Sequence, residues 1–419
     1  MVAFVASTAM QNTTPLNLVN DSSDFAEQAL PMNETATALR LLGQSETAGD
    51  KEVHQTGILP SQLLEHLVRV TKEILTLDDP IRDDQFQPAS LDLRLGAKAY
   101  RVRASFLPGK HTVTQKLEEL AMHEMDITTG GVLERGCVYI VPLIEHLALK
   151  RRTSARGNPK SSTGRLDIFT RLITDYGTEF DSVKEGYKGP LYAEVSPRTF
   201  SVLVRKGSRL SQLRIRRGNP PASDQEMRRL LNDQQIVESM GQDDIRSGVP
   251  VTVDVLGDRT GGLIGYRAKN HAGLIDIDRV RHYEVLDYWE PVFVPRRGGL
   301  VLDPADFYIL ASREAVRVPP TYAAEMIAYD TLVGEFRVHY AGFFDPGFGH
   351  ADANGEGSRA VLEVRSYEVP FVIEHGQIVG RLTYERLTEL PNRLYGSAVR
   401  SNYQGQGIAL SKHFINASP

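Results

Sequence analysis

The 419 residues carry 41% apolar and 24% charged side chains, a formal net charge of -5 and a pI near 6.2. That is an ordinary globular composition on a chain long enough for roughly two or three cores; it offers no basic footprint for nucleic acid, although local clusters could still take anionic small ligands. Cys137 is the single cysteine, which excludes an intrachain disulfide framework and any multi-cysteine metal site and leads us to expect a reducing, cytoplasmic setting.

Residues 1–55 are rich in Asn, Thr, Ser, Glu and Gln with no sustained period, and are expected to form a disordered tail. The opening MVAFVASTAM lacks the basic region and long apolar stretch of a secretory signal, and no run of about 18 apolar residues occurs to span a membrane. Order is predicted from Thr56, with a helix begun by Pro60 and Ser61 and carrying Leu63, Leu64, Leu67 and Val68 at helical spacing. The period then falls to two. SLDLRLG, AYRVRASF, CVYIVPL, LYAEVSP, FSVLVRKG and SQLRIRR read as short strands between Gly, Pro and charged turns, predicting a mostly β barrel or double sheet. This first module covers 56–220. A polar helical linker follows at 221–245, opened by Pro220 and Pro221, then a second short-strand module at 246–392 and a tail at 393–419.

The second module echoes the first. Tyr139 and Tyr308, Glu194 and Glu363, Gly207 and Gly376, and Leu213 and Leu382 are each 169 positions apart, which predicts a duplicated domain. For the tyrosines, glycines and leucines, shared core and turn positions explain the echo. Glutamate in the middle of an apolar strand is harder to explain that way, because burial raises the pKa of a carboxyl and glutamate is seldom buried without a use. Glu363, in AVLEV, is therefore a candidate general acid/base, and Glu194 is its counterpart.

KSSTGR in the first module sets Ser161 and Ser162 in a glycine-containing turn between Lys160 and Arg165. Hydroxyls, a planar guanidinium and an ammonium are what a polyphosphate needs, although such loops are often plain solvated turns. The matching segment of the second module, DTLVG at 330–334, has no such set. His282, Tyr283 and Glu284 spell the H-x-E of zinc-dependent deaminases, but no cysteine follows, so the ligand count excludes that metal site and His282 reads as a surface or interface residue.

Taken together, QPASLDLRLG, RGCVYIVPLIEHLAL and KSSTGRLDIF in the first module, with AGFFDPGFG, AVLEV, GQIVGRLTYERL and LYGSAVRSNYQGQG further on, resemble the dCTP deaminases of the dUTPase-like fold. The resemblance covers about 56–218 and 295–413. It implies two tandem dUTPase-like distorted β-barrel modules and zinc-independent hydrolysis of dCTP to dUTP and ammonia, with Mg2+ arriving on the triphosphate. By the same likeness Ser161, Ser162 and Arg165, with Lys160 alongside, would hold the triphosphate. Ala341 and Asp345 would line the nucleoside pocket, Asp345 near the deoxyribose. Val361 and Leu362 would sit beside the base, Glu363 would be the acid/base, and Tyr395 and Gln406 would come from a closing tail.

Three departures matter. The first module has DYGTEFDSVKEGYKG in place of DPGF and no YQGQ tail, the second lacks the serine-rich clamp, and Asn402 stands where the family carries lysine. A composite site is the simplest reading, with phosphate groups from one module and base-handling groups from the other, within or between chains. The rival arrangement joins KSSTGR to Glu194 and leaves Glu363 a relic. Three functions stay open: the deaminase; a diphosphatase or bifunctional enzyme in which Asp345 directs water at the α-phosphate; and a non-enzymatic nucleotide-binding module. A homo-oligomer or a self-contained pair of modules is expected, with dCTP and dUTP as ligands and neither nucleic acid nor membrane as partner.

Overall fold

The computed structural model of the chain describes residues 55–220, 222–238, 244–258, 260–296, 299–328, 336–339, 342–353, 355–366, 368–396 and 407–415. The tail expected at 1–55 falls almost wholly outside the described residues, as do Ala341 and Gln406 of the expected site. Where the chain is described, short strands dominate. In the first module a 5-stranded sheet runs Gly57–Ile58, Ser211–Arg217, Thr153–Pro159, Ser182–Val183, with Leu91–Leu93 also on Ser211–Arg217. The facing sheet runs Ala121–Asp126, Lys98–Val102, Val138–Ala148, Lys188–Pro197, Ile168–Thr174.

The second module repeats this plan. Lys188–Pro197, which carries Glu194, lies between Val138–Ala148 and Ile168–Thr174, and Ser358–Ser366, which carries Glu363, lies between Phe307–Val316 and Phe336–His339. Glu194 pairs with Ile140 and Glu363 with Ile309, the same register 169 positions later. Tyr139 and Tyr308 have matching roles: their hydroxyls accept from the amides of Glu134 at 3.1 Å and Asp303 at 3.2 Å. A one-residue slip would turn each glutamate to the opposite face, so this register fixes which face each one serves.

Helices are few. Ser61–Arg69 starts after Pro60 and buries Leu64 and Leu67. Val113–Leu120 is closed by a reciprocal cap in which the Thr112 hydroxyl accepts from the Gln115 amide and the Gln115 side chain accepts from the Thr112 amide. The helix predicted between the modules is Asp224–Gln234; it starts at Ser223 and packs Met227, Leu230 and Leu231 into the second core.

The modules share packing. Val202–Leu203 pairs in parallel with Ile275–Asp276, and the first module's core continues through Trp289, Phe307, Val361 and Phe414 of the second. Each large side chain fully removed from water there contributes about 1.5–3 kcal/mol. Charges also meet across this face at equivalent positions. Arg156 faces Glu325 at 3.9 Å, and Arg216 pairs with Glu385; each partner is the counterpart of the other, 169 positions along.

Candidate active site

Ser358–Ser366 alternates its side chains across the sheet, and the two faces have different neighbours. Leu362 and Val364 point into the second core, so Leu362 can offer a ligand only its backbone. Val361, Glu363 and Arg365 share the other face, toward the first module. Arg365 crosses to it, pairing with the Asp167 carboxylate and donating to the Thr199 hydroxyl at 3.0 Å. Glu363 is 6% exposed. Its carboxyl is pushed up to about 8, chiefly by burial, with the nearby Arg165 charge opposing and Asp167 adding to the rise.

Arg165 comes from the first module's turn. KSSTGR forms a single helical turn, Ser161–Gly164, tied down by the Thr163 and Gly164 amides donating to the Lys160 carbonyl. Ser162 and Arg165 are buried and Ser161 is half-buried. The C-terminal segment 407–415 lies on this turn: Arg165 Nη1 donates to the Ala409 carbonyl at 3.0 Å, and the Ser411 hydroxyl donates to the Ser162 carbonyl at 2.7 Å. Ile408, Leu410 and Phe414 are buried beneath it, Phe414 edge-on to Trp289 and Tyr288. Lys160 pairs with the buried Asp92, and the same acid lies 3.8 Å from Arg209.

Asp345 opens the third side. Its loop is held by Gly347, whose φ of +94° is a conformation that favours glycine and where a Cβ would lie 3.1 Å from the Tyr395 amide nitrogen. The Tyr395 amide donates to the Pro346 carbonyl at 2.9 Å, and its ring packs against Phe348 at 5.6 Å. Burial pushes the Asp345 carboxyl up to about 6; Arg214 and Lys160 act against that rise and Asp92 with it. Arg214, which reaches Asp345 from the first module, is wholly buried.

Glu194 has the same strand position as Glu363 and a different environment. Arg171, its neighbour across the ladder, grips it at 2.5 Å and is itself held over the Phe180 ring at 3.4 Å. The guanidinium engages one carboxylate oxygen, Oε1, while Oε2 is buried without a hydrogen-bond partner. Arg165 is near enough to Glu363 within one chain for its positive charge to act on that carboxyl. The H-x-E segment pairs with the C-terminal segment, the His282 and Tyr283 amides donating to the His413 carbonyl; the His282 and Glu284 side chains are exposed, and the Tyr283 hydroxyl accepts from the Asp276 amide.

Sequence reasoning missed Asp92, Asp167 and Arg214; it expected the tail at 393–419 to close over the site without naming the contacts that 407–415 makes there. Arg214 had a usable signal, since Leu213 and Ile215 flank it as Leu362 and Val364 flank Glu363. The others depend on pairings distant in sequence.

Comparison with known proteins gives a consistent result. Residues 55–219 match the model of the 2'-deoxycytidine 5'-triphosphate deaminase N-terminal domain, and residues 223–414 match that of its C-terminal domain. The dCTP deaminase of Haloarcula marismortui is 30% identical over 184 residues, 43% of this chain and 87% of that protein. A dUMP-forming dCTP deaminase of Corynebacterium jeikeium is 28% identical over 200 residues, 46% of this chain and 97% of that protein. The crystal structure of 2'-deoxycytidine 5'-triphosphate deaminase from Agrobacterium tumefaciens superposes with a TM-score of 0.75 at 56% identity, covering 80% of this chain and all of that one.

Proposed function

The chain belongs to the dCTP deaminase family and is an enzyme of that class; we propose that it does its chemistry at one composite site, with Glu363 as the acid/base and the Ser161–Arg165 turn holding the triphosphate. A single observation carries this reading: a buried carboxyl held up to about 8 on the face that meets the Arg165 turn. A carboxyl that is largely protonated at neutral pH can give its proton to the ring nitrogen of cytosine. The carboxylate left behind accepts a proton from the water attacking C4, passes it to the departing amino group, and then takes the proton of the new C4 hydroxyl as the carbonyl forms, which restores the acid. The balance is dCTP and water in, dUTP and ammonia out. Arg165, Ser161, Ser162 and Lys160 orient the triphosphate, Asp345 the sugar, and Val361 with the Leu362 backbone the base. Glu194, engaged by Arg171, is the spent copy of a duplicated barrel.

Magnesium is proposed to arrive on the triphosphate, held by phosphate oxygens and water. Among the described residues no group of three or more His, Cys, Asp or Glu side chains could hold a metal ion, and the donors around the turn are hydroxyl and cationic, suited to phosphate and not to a zinc. A second reading, deamination followed by removal of pyrophosphate, is favoured by the Corynebacterium jeikeium relative being dUMP-forming. Incubating EDTA-stripped protein with dCTP and magnesium, and measuring ammonia and pyrophosphate separately, tests all of this. Ammonia alone supports the first reading and both products the second. Binding without either product would point to a nucleotide-binding module, and recovery that required zinc would overturn the mechanism.

A further inference from the structure

Arg214 stands in the first module's Ser211–Arg217 strand, yet its head lies in the second. None of it is exposed. Nη1 donates to the Ala324 carbonyl at 3.1 Å, Nη2 donates to the Phe344 carbonyl at 3.3 Å and lies 3.5 Å from Asp345 Oδ1, and the guanidinium lies over the Phe343 ring at 3.9 Å. Phe343, Phe344 and Asp345 are consecutive, so one arginine grips the whole approach to the DPGF loop. Glu385 lies 3.9 Å away on the other side.

This is a poor device for stability alone. Nε of Arg214 and Oε2 of Glu385 are buried with no hydrogen-bond partner, and a buried ion network that is incompletely bonded is commonly no better than an apolar filling of the same volume. Buried charged groups set at such a cost beside a candidate site residue are candidates for function. We propose that Arg214 is a positioning residue for the deaminase site: it aims the Asp345 carboxylate at the nucleoside sugar, so that the sugar pocket, like the phosphate clamp, depends on both modules. The inference rests on assigning Asp345 to the nucleoside pocket. The charged groups acting on Asp345 are Arg214 from Ser211–Arg217, Lys160 beside the phosphate turn and Asp92 from Leu91–Leu93; of these, Arg214 opposes its protonation most strongly.

The test is a cycle of Arg214→Gln, Asp345→Asn and the double variant, with Arg214→Lys as a conservative control. Ammonia release from dCTP is followed from pH 5 to pH 9, with thermal unfolding of each protein. Arg214→Gln is expected to raise KM about tenfold at pH 7 and move the acid limb of kcat/KM up by about one pH unit, the effect of losing a cation beside a carboxylate. Arg214→Lys keeps the limb but not the KM, because ammonium cannot bridge both acceptors. The double variant should match Asp345→Asn within about twofold. An unmoved acid limb and KM in Arg214→Gln, or a double variant a further tenfold below Asp345→Asn, would overturn the proposal. Should Arg214→Gln not fold, an unchanged KM in Arg214→Lys does so. If the wild type releases no ammonia, the assigned activity fails instead. Calorimetric titration with dCTP at pH 6 and pH 8 then decides the role of Arg214, and equal affinities of wild type and variants at both pH values would refute it.

Discussion

Replacing Glu363 by glutamine should make the protein both inactive and more stable, with a defined dependence on pH. In the fold the carboxyl titrates at about 8 in place of its ordinary 4.5. Between those values the folded chain binds a proton that the unfolded chain releases, so stability falls as pH rises through the window and is flat outside it. The penalty at pH 7 is about 3 kcal/mol and above pH 8 about 5 kcal/mol, from 1.36 kcal/mol per pH unit. Glutamine keeps the shape and removes the charge. Urea unfolding of wild type and Glu363→Gln at pH 4.5, 7 and 8.5 should therefore show near-equal stability at the first and a widening advantage for the variant at the others, with ammonia release down about 10²–10⁴-fold and dCTP still bound. An advantage that does not change with pH would refute the argument from burial. Wild-type turnover in the variant would refute the assignment.

Arg165→Lys should raise KM for dCTP by about 10–100-fold, the loss of a charge-assisted fork worth roughly 1.5–3 kcal/mol, in steady-state assays of ammonia release. Glu194→Gln should leave ammonia release near wild type, because its carboxylate is already engaged by Arg171, while lowering the free energy of unfolding in urea by about 1–3 kcal/mol; a large fall in kcat would return Glu194 to the reaction. Phe414→Ala should cost about 3–5 kcal/mol in urea unfolding and raise KM as well, since the same segment ties down Arg165 and Ser162; an unchanged KM would mean that 407–415 is packing only.

Much of the architecture was legible because alternation and spacing are local. Period-two runs gave the strands, and the 169-residue echo gave the matching ladders around Glu194 and Glu363. The capped helix Val113–Leu120 was equally legible, from Thr112 and Gln115, and went unread. KSSTGR reads as a glycine-containing turn and is a single turn of helix; a stretch of two serines, a threonine and a glycine carries no apolar period to announce the helical form. The difference between the two glutamates could not be read at all. It turns on Arg171 lying opposite Glu194 and Arg165 beside Glu363, and sheet register and module docking set both.

The opposed charges at the module interface bear on which barrels can pair. In the same geometry, two first modules would bring Arg156 against Arg156 and Arg216 against Arg216, and two second modules would bring glutamate against glutamate; the pair at 216 and 385 lies in a largely dehydrated seam, whereas Arg156 is half-exposed and screened by solvent. The face is thus self-avoiding for like copies and attractive for unlike ones. Covalent linkage keeps an unlike copy within reach at every docking event, so the pairing of unlike barrels does not depend on the concentration of the protein.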